Sequence, residues 1–146
     1  FTTGKREIIE MLRQRSRPYL FSNSIPPMVA AAGVAMFNLI DKTNDLQDKL
    51  HSNTDYFVAE MKKAGFDIKP TQSAICAVML YDAKLSQDFA AALQKEGIYV
   101  TGFYYPVVPK GQARIRVQVS AAHEKEHLDR CIAAFTKIGK ELGVIK

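Results

Sequence analysis

The chain has 146 residues, of which 47% are hydrophobic and 24% are charged, and its formal net charge is +5. This length corresponds to about one domain, and the composition excludes an intrinsically disordered protein. No apolar run reaches the roughly 18 residues that a membrane-spanning helix needs. No signal peptide is visible at the start, where Phe1 stands in place of a methionine. We therefore expect a cytoplasmic protein with no membrane partner.

The first part of the chain is predicted to be helical. Apolar residues at helical spacing predict a helix over residues 5–15, which Pro18 ends. Pro26 and Pro27 open the next helix, because proline is tolerated in a first turn. That helix is almost entirely apolar through Ile40, so we expect it to be buried on most sides. We also expect these first helices to dock on a surface that lies outside this sequence.

The second part combines helices with strands. An amphipathic helix is predicted to end near Gly65, which suits a C-terminal cap. Beyond it, strands are predicted over residues 74–81, 98–103 and 113–119, and helices over residues 85–96 and 124–142. This order favours an α+β fold with about three mostly antiparallel strands and helices packed on one face. We accordingly divide the chain into a helical segment, residues 1–40, and an α+β domain, residues 41–146.

Two arginines mark one face of the last predicted strand. Side chains alternate along a strand, so Arg114, Arg116, Gln118 and Ser120 share one face, while apolar residues take the other. Guanidinium groups bind carboxylates or phosphates through two parallel hydrogen bonds. The alternative is an ordinary solvated strand face.

A polar segment precedes the second helix. Ser22, Asn23 and Ser24 offer hydroxyl, amide and backbone N–H groups just before a helix start, which is typical of a phosphate site. An ordinary N-cap elbow explains the same residues.

Residues 123–127, His-Glu-Lys-Glu-His, match the H-E-x-x-H zinc pattern. The pattern lies in the first turn of a charged helix, and the remaining histidine, His51, lies in another helix. The helix dipole explains the acidic residues there. Cys76 and Cys131 lie far apart in apolar runs, so neither a disulfide framework nor a zinc spacing is indicated. We predict no metal site.

Part of the positive charge lies at Arg13, Arg15 and Arg17, which permits an anionic partner. A free-standing nucleotide- or nucleic-acid-binding module is one interpretation. No groove-reading helix or base-stacking platform of a known type is evident in the sequence. We therefore expect no nucleic-acid partner.

Three stretches carry a family resemblance: residues 13–24 (RQRSRPYLFSNS), residues 97–111 (GIYVTGFYYPVVPKG), and residues 113–116 (ARIR) with 120–123 (SAAH). They resemble the α-oxoamine synthases, which are pyridoxal phosphate (PLP) enzymes of fold type I. The resemblance covers essentially the whole chain. Residues 21–24 and 106–111 favour the glycine C-acetyltransferases, also called 2-amino-3-ketobutyrate coenzyme A ligases. The alternatives within the family are 8-amino-7-oxononanoate synthase and serine palmitoyltransferase.

The resemblance implies a homodimeric PLP-dependent acyltransferase whose small C-terminal domain this chain represents. The implied reaction joins glycine and acetyl-CoA to give 2-amino-3-oxobutyrate and CoA, and runs in reverse during threonine degradation. Arg116 is implied to hold the substrate carboxylate. Ser22 and Asn23 are implied to contact the PLP phosphate of the partner subunit.

One expected feature of the family does not occur in the sequence. The lysine that forms the Schiff base with PLP belongs to a Gly-Lys-x-x-Gly-Gly segment that would precede Phe1. Lys5 is not followed by those glycines. The resemblance therefore implies a C-terminal fragment with no catalytic residue of its own, and we expect that fragment to be inactive alone.

Overall fold

The structure is a computed structural model that describes residues 2–146. The chain separates into two compact units, an N-terminal unit up to Thr43 and a C-terminal unit, Asn44–Lys146. Within the described residues, none of the helices combines the length and the apolar character needed to cross a membrane.

The N-terminal unit contains three helices: α1 (Arg6–Arg15), α2 (Arg17–Leu20) and α3 (Pro27–Ile40). The prediction that Pro18 ends the first helix needs a correction. The break falls at Ser16, whose backbone is extended, and Pro18 lies in the first turn of α2. Proline fits there because the first N–H groups of a helix have no intrahelical partner.

The apolar helix α3 is not buried within this unit, contrary to the prediction. None of its side chains is buried, and Met28 and Val34 are 70% and 62% exposed. A helix that is apolar on all sides needs neighbours on all sides. In residues 2–43 the other helices are α1 and α2, which are short and contain no buried residue themselves. Docking of α3 on a surface outside this sequence remains a prediction.

The C-terminal unit is an α+β domain, as predicted. Its elements are α4 (Asp45–Lys63), β1 (Ile68–Lys69), β2 (Ile75–Tyr81), α5 (Ala83–Lys95), β3 (Thr101–Phe103), β4 (Ala113–Gln118) and α6 (Lys125–Glu141). The strands form one antiparallel sheet in the order β1-β2-β4-β3. The central strands are therefore β2 and β4.

Two details of the sheet differ from the prediction. The strand β1 was missed because two residues are too short to show an alternating pattern. The strand β3 begins at Thr101 instead of residue 98, because the backbone just before it is hydrogen-bonded to the C-terminal end of α5. Gly97 has φ +77°, and the Ile98 N–H donates to the Leu93 carbonyl at 3.0 Å.

The core lies between the helices and one face of the sheet. Val78 and Ile115 of the central strands are fully buried on that face. Phe135 of α6 contacts three other phenylalanines, with ring centroids at 5.5–6.5 Å from those of Phe57, Phe66 and Phe89. Such edge-to-face and tilted pairs stabilise a core beyond the area they bury. Since the helices cover this face, the opposite face of the sheet carries the polar side chains of β4.

Candidate functional site

Arg116 lies in the middle of the sheet, on the face that the core does not use. Its paired residues are Ala77 on β2 and Thr101 on β3, and directly paired residues point to the same face. On the opposite face of β4, Ala113 and Ile115 are buried, so the predicted alternation along this strand is confirmed. Arg116 therefore stands between two small side chains that leave space above the sheet.

The two arginines of β4 have different surroundings. The Arg116 guanidinium carbon lies 4.2 Å from the centroid of the Phe103 ring, and the side chain is exposed. Across residues 2–146 no hydrogen bond or ion pair engages it. Arg114 is half-buried, and its Nε donates to the Gln112 carbonyl at 2.9 Å. Arg116 thus keeps all of its N–H groups for a ligand, whereas Arg114 uses its Nε–H within the chain.

A cleft of about 710 Å³ adjoins this face. Its polar lining includes Arg116, Gln118, His123, His127 and Arg130. No aspartate or glutamate is among the residues that line it in the described part of the chain. Beside a largely apolar wall, the lining thus carries two arginines and no carboxylate, which favours an anionic ligand.

Cys131 also lines the cleft, but its thiol is not activated. Burial raises the pKa of the Cys131 thiol to about 11, and burial raises that of Cys76 equally to about 11. The thiolate is the nucleophilic form of cysteine, so both groups are protonated and inert near neutral pH. Neither cysteine is a candidate nucleophile.

The two histidines accept backbone hydrogen bonds, His127 at the N-cap of α6 and His123 in the turn before it. His123 Nδ1 accepts from the Ser120 N–H at 3.2 Å, and His127 Nδ1 accepts from the Glu124 N–H at 3.0 Å. Helix α6 begins at Lys125, so His123 lies before the helix. The H-E-x-x-H pattern is a capping arrangement here, and residues 2–146 hold no group of three or more His, Cys, Asp or Glu side chains suited to a metal.

Ser22 and Asn23 lie in the loop between α2 and α3. Both side chains are exposed, and no hydrogen bond within residues 2–146 engages them. Helix α3 starts at Pro27 with Pro26 as its N-cap, so two N–H groups that the predicted phosphate site could have used are absent. The hydroxyl and amide groups still suit phosphate oxygens. These two residues belong to the N-terminal unit, and Arg116 belongs to the C-terminal unit.

Sequence reasoning missed Phe103 as a site residue. In sequence it is one aromatic among several, next to Tyr104 and Tyr105. Its contact with Arg116 depends on the pairing of β3 with β4, which sequence spacing does not reveal.

The comparisons with known proteins agree with this fold. The family model "Aminotransferase class I and II" matches residues 1–135. The chain is 54% identical over 99% of its length to 2-amino-3-ketobutyrate coenzyme A ligase of Escherichia coli K12, and covers 36% of that protein. It is 46% identical to the human mitochondrial protein of that name, covering 35% of it, and 46% identical to 8-amino-7-oxononanoate synthase of Thermosipho melanesiensis, covering 37%. The chain thus spans about a third of the length of these curated relatives.

Solved structures are similar over nearly the whole chain. Sphingomonas wittichii serine palmitoyltransferase matches 97% of the chain with a TM-score of 0.87 and 28% identity, the chain covering 36% of it. A serine palmitoyltransferase from S. paucimobilis with bound PLP matches 93%, with a TM-score of 0.86 and 30% identity, the chain covering 35% of it. The fold is that of the C-terminal part of fold type I PLP-dependent enzymes. The family model covers most of this sequence, and the chain therefore belongs to the aminotransferase class I and II family.

Proposed function

We propose that this chain is the C-terminal part of a PLP-dependent glycine C-acetyltransferase. The complete enzyme joins glycine and acetyl-CoA to give 2-amino-3-oxobutyrate and CoA, or cleaves that oxo acid with CoA in threonine degradation. The observation that carries the proposal is Arg116, an exposed guanidinium without a protein counter-ion on the open face of the sheet. The 54% identity to a 2-amino-3-ketobutyrate coenzyme A ligase supports this substrate over those of related enzymes.

Arg116 binds the carboxylate of glycine in this proposal. Its planar guanidinium can donate two parallel hydrogen bonds to the two carboxylate oxygens. The small neighbours Ala77 and Thr101 leave room for that group above the sheet. A carboxylate held at two points is fixed in orientation, so the rest of the small substrate is presented in one direction.

Ser22 and Asn23 hold the phosphate of PLP in this proposal, through the serine hydroxyl and the asparagine amide. Their exposure, and the lack of any hydrogen bond to them within residues 2–146, suits a contact with another subunit. When bound, PLP supplies an electron sink for the carbanion formed at the glycine Cα. Lys5 is exposed at the N-cap of α1 and has no role in holding the cofactor. The lysine that binds PLP covalently belongs to the remainder of the enzyme, so this chain alone is inactive.

The apolar helix α3 supports a homodimer. It begins at Pro27, shortly after Asn23 in the chain, and exposes Val34 and Leu39 at 62% and 59%. Burial of such surface is worth about 25 cal/mol per Å², so it favours a protein partner over water. We assign α3 to contacts with the rest of the complete dimer. A cytoplasmic location also belongs to this proposal, and human and mouse relatives described as mitochondrial make organelle import the alternative.

The test compares Arg116→Ala with Arg114→Ala in the complete enzyme. Loss of a desolvated, charge-assisted contact costs about 3 kcal/mol, so Arg116→Ala should raise the KM for glycine about 100-fold or more. Arg114→Ala is the matched control on the same face, and its side chain already donates to the Gln112 carbonyl. It should change that KM much less. The measurement is CoA release as a function of glycine concentration.

Equal effects of the two substitutions would contradict the assignment, since both arginines would then be structural. An effect of Arg116→Ala on the KM for acetyl-CoA, with the KM for glycine unchanged, would instead assign Arg116 to the other substrate.

A further inference from the structure

We propose that Phe103 is a positioning residue for Arg116. Its ring holds the guanidinium in the orientation that receives the substrate carboxylate, while leaving the N–H groups free. This inference rests on the proposed function of Arg116 as the carboxylate-binding residue, and it adds a residue whose role that function does not define.

The contact crosses the sheet diagonally. In the register of β3 and β4, Thr101 pairs with Arg116 and Phe103 pairs with Arg114. Phe103 is therefore the diagonal neighbour of Arg116, at a separation that aromatic side chains can span. The guanidinium carbon lies 4.2 Å from the ring centroid, well inside the roughly 6 Å range of a cation–π interaction. The ring thus contacts Arg116 although another arginine lies directly opposite it.

Arg116 needs such a support because nothing else in the described chain restrains its end. A free arginine side chain samples many rotamers, and ordering it on substrate binding costs free energy. Arg114 shows the usual solution, a hydrogen bond to the Gln112 carbonyl. A carbonyl or carboxylate partner on Arg116 would occupy the N–H groups that the substrate requires. An aromatic face attracts the cation and accepts none of the in-plane hydrogen bonds, so it restrains Arg116 without competing.

The backbone fixes the position of the ring. Phe103 follows Gly102, and a Cβ built on Gly102 would lie 2.6 Å from the Ser86 carbonyl oxygen of α5. Strand β3 therefore packs against α5 at a distance that only glycine permits. Phe103 itself is half-buried and paired with β4. The ring is held by the strand, and the strand is held by the helix, so the support for Arg116 is built into the fold.

The experiment uses three variants of the complete enzyme. Phe103→Leu removes the ring and keeps an apolar side chain, whereas Phe103→Tyr keeps the ring. Tyr104→Leu is the matched control, since Tyr104 is an exposed aromatic beside Phe103 that neither lines the cleft nor stacks on Arg116. We expect Phe103→Leu to raise the KM for glycine about fivefold, the range of an exposed cation–π contact. The KM for acetyl-CoA and the kcat should change less than about twofold, and Phe103→Tyr and Tyr104→Leu should behave like the unsubstituted enzyme.

A second measurement reads the contact without catalysis. In the 146-residue chain labelled with ¹⁵N, the ring current of Phe103 should shift the Arg116 Nε–H proton upfield. The shift should disappear in Phe103→Leu and persist in Phe103→Tyr. Arg116→Ala identifies the resonance.

The inference is overturned if Phe103→Leu leaves the KM for glycine unchanged while Arg116→Ala raises it strongly. It is also overturned if Phe103→Tyr is as impaired as Phe103→Leu, because the aromatic face would then not be the essential property. If Arg116→Ala itself leaves glycine binding unchanged, the proposed function fails, and the inference that rests on it fails as well.

Discussion

Replacing Gly102 with alanine tests whether the close contact between β3 and α5 holds the sheet edge in place. A Cβ at this position would lie 2.6 Å from the Ser86 carbonyl oxygen and 2.9 Å from its carbon, against ordinary contacts of 3.4–4 Å. Both atoms belong to the backbone of α5, and Ser86 is fully buried. The clash cannot be relieved by rotating a side chain, so the strand and the helix must move apart.

The expected magnitude follows from two opposing effects. Overpacking a well-packed core costs about 1–3 kcal/mol. Glycine in a strand interior is less stable than alanine by about 0.5–1 kcal/mol, so the substitution regains part of that cost. We expect Gly102→Ala to lower the free energy of unfolding by about 1–2 kcal/mol.

Urea denaturation of the chain measures this change. With a slope of about 1–3 kcal/mol per M, the midpoint should fall by roughly 0.3–2 M. Thr101→Ala is the matched control, because Thr101 is exposed on the other face of the same strand. The free energy of unfolding of Thr101→Ala should stay within about 0.5 kcal/mol of that of the parent chain. A Gly102→Ala chain as stable as the parent, or more stable, would refute the assigned close contact.

Two further predictions concern the α6 surface and the cofactor. Hydrogen bonds from Lys125 and then Tyr56 hold the pKa of Asp129 below its ordinary value of 3.8. As the pH falls, Asp129 therefore binds its proton in the unfolded chain before it does so in the folded chain. The ionised Asp129 stabilises the folded chain above pH 3.8, and this contribution is lost as the pH falls through the lowered pKa. The urea midpoint of the parent chain should fall more steeply with acid below this pH than that of Asp129→Asn, and parallel curves would contradict the assignment. The chain mixed with PLP should show no stable visible band from a bound Schiff base and no CoA release, whereas a persistent band that survives dialysis would show that a lysine of this chain binds the cofactor.

Patterns of local sequence predicted most of the elements. The helices α1, α3 and α4 to α6 and the strands β2 and β4 lie within a few residues of their predicted bounds. Most of them show a clear apolar period, whereas α3 and β2 are continuous apolar runs. The face assignment for Arg116 followed from the same period, since strand side chains alternate. The strand β1 was missed, and residues 98–100 were wrongly assigned to a strand. The structure of both segments depends on which neighbouring backbone bonds to them.

The sequence by itself determined the α+β class, the arginine face and the family resemblance, because these depend on residue spacing and on recognisable stretches. Tertiary structure decided that Arg114 donates its Nε–H within the chain while Arg116 donates no hydrogen bond within residues 2–146. Only the pairing of β3 with β4 places Phe103 beside Arg116. The backbone path of residues 112–114 brings the Gln112 carbonyl within hydrogen-bond distance of the Arg114 Nε–H. The role of His127 was decided in the same way, because its capping bond depends on where α6 begins. Contacts between residues distant in sequence are set by strand register and packing, which no local pattern encodes.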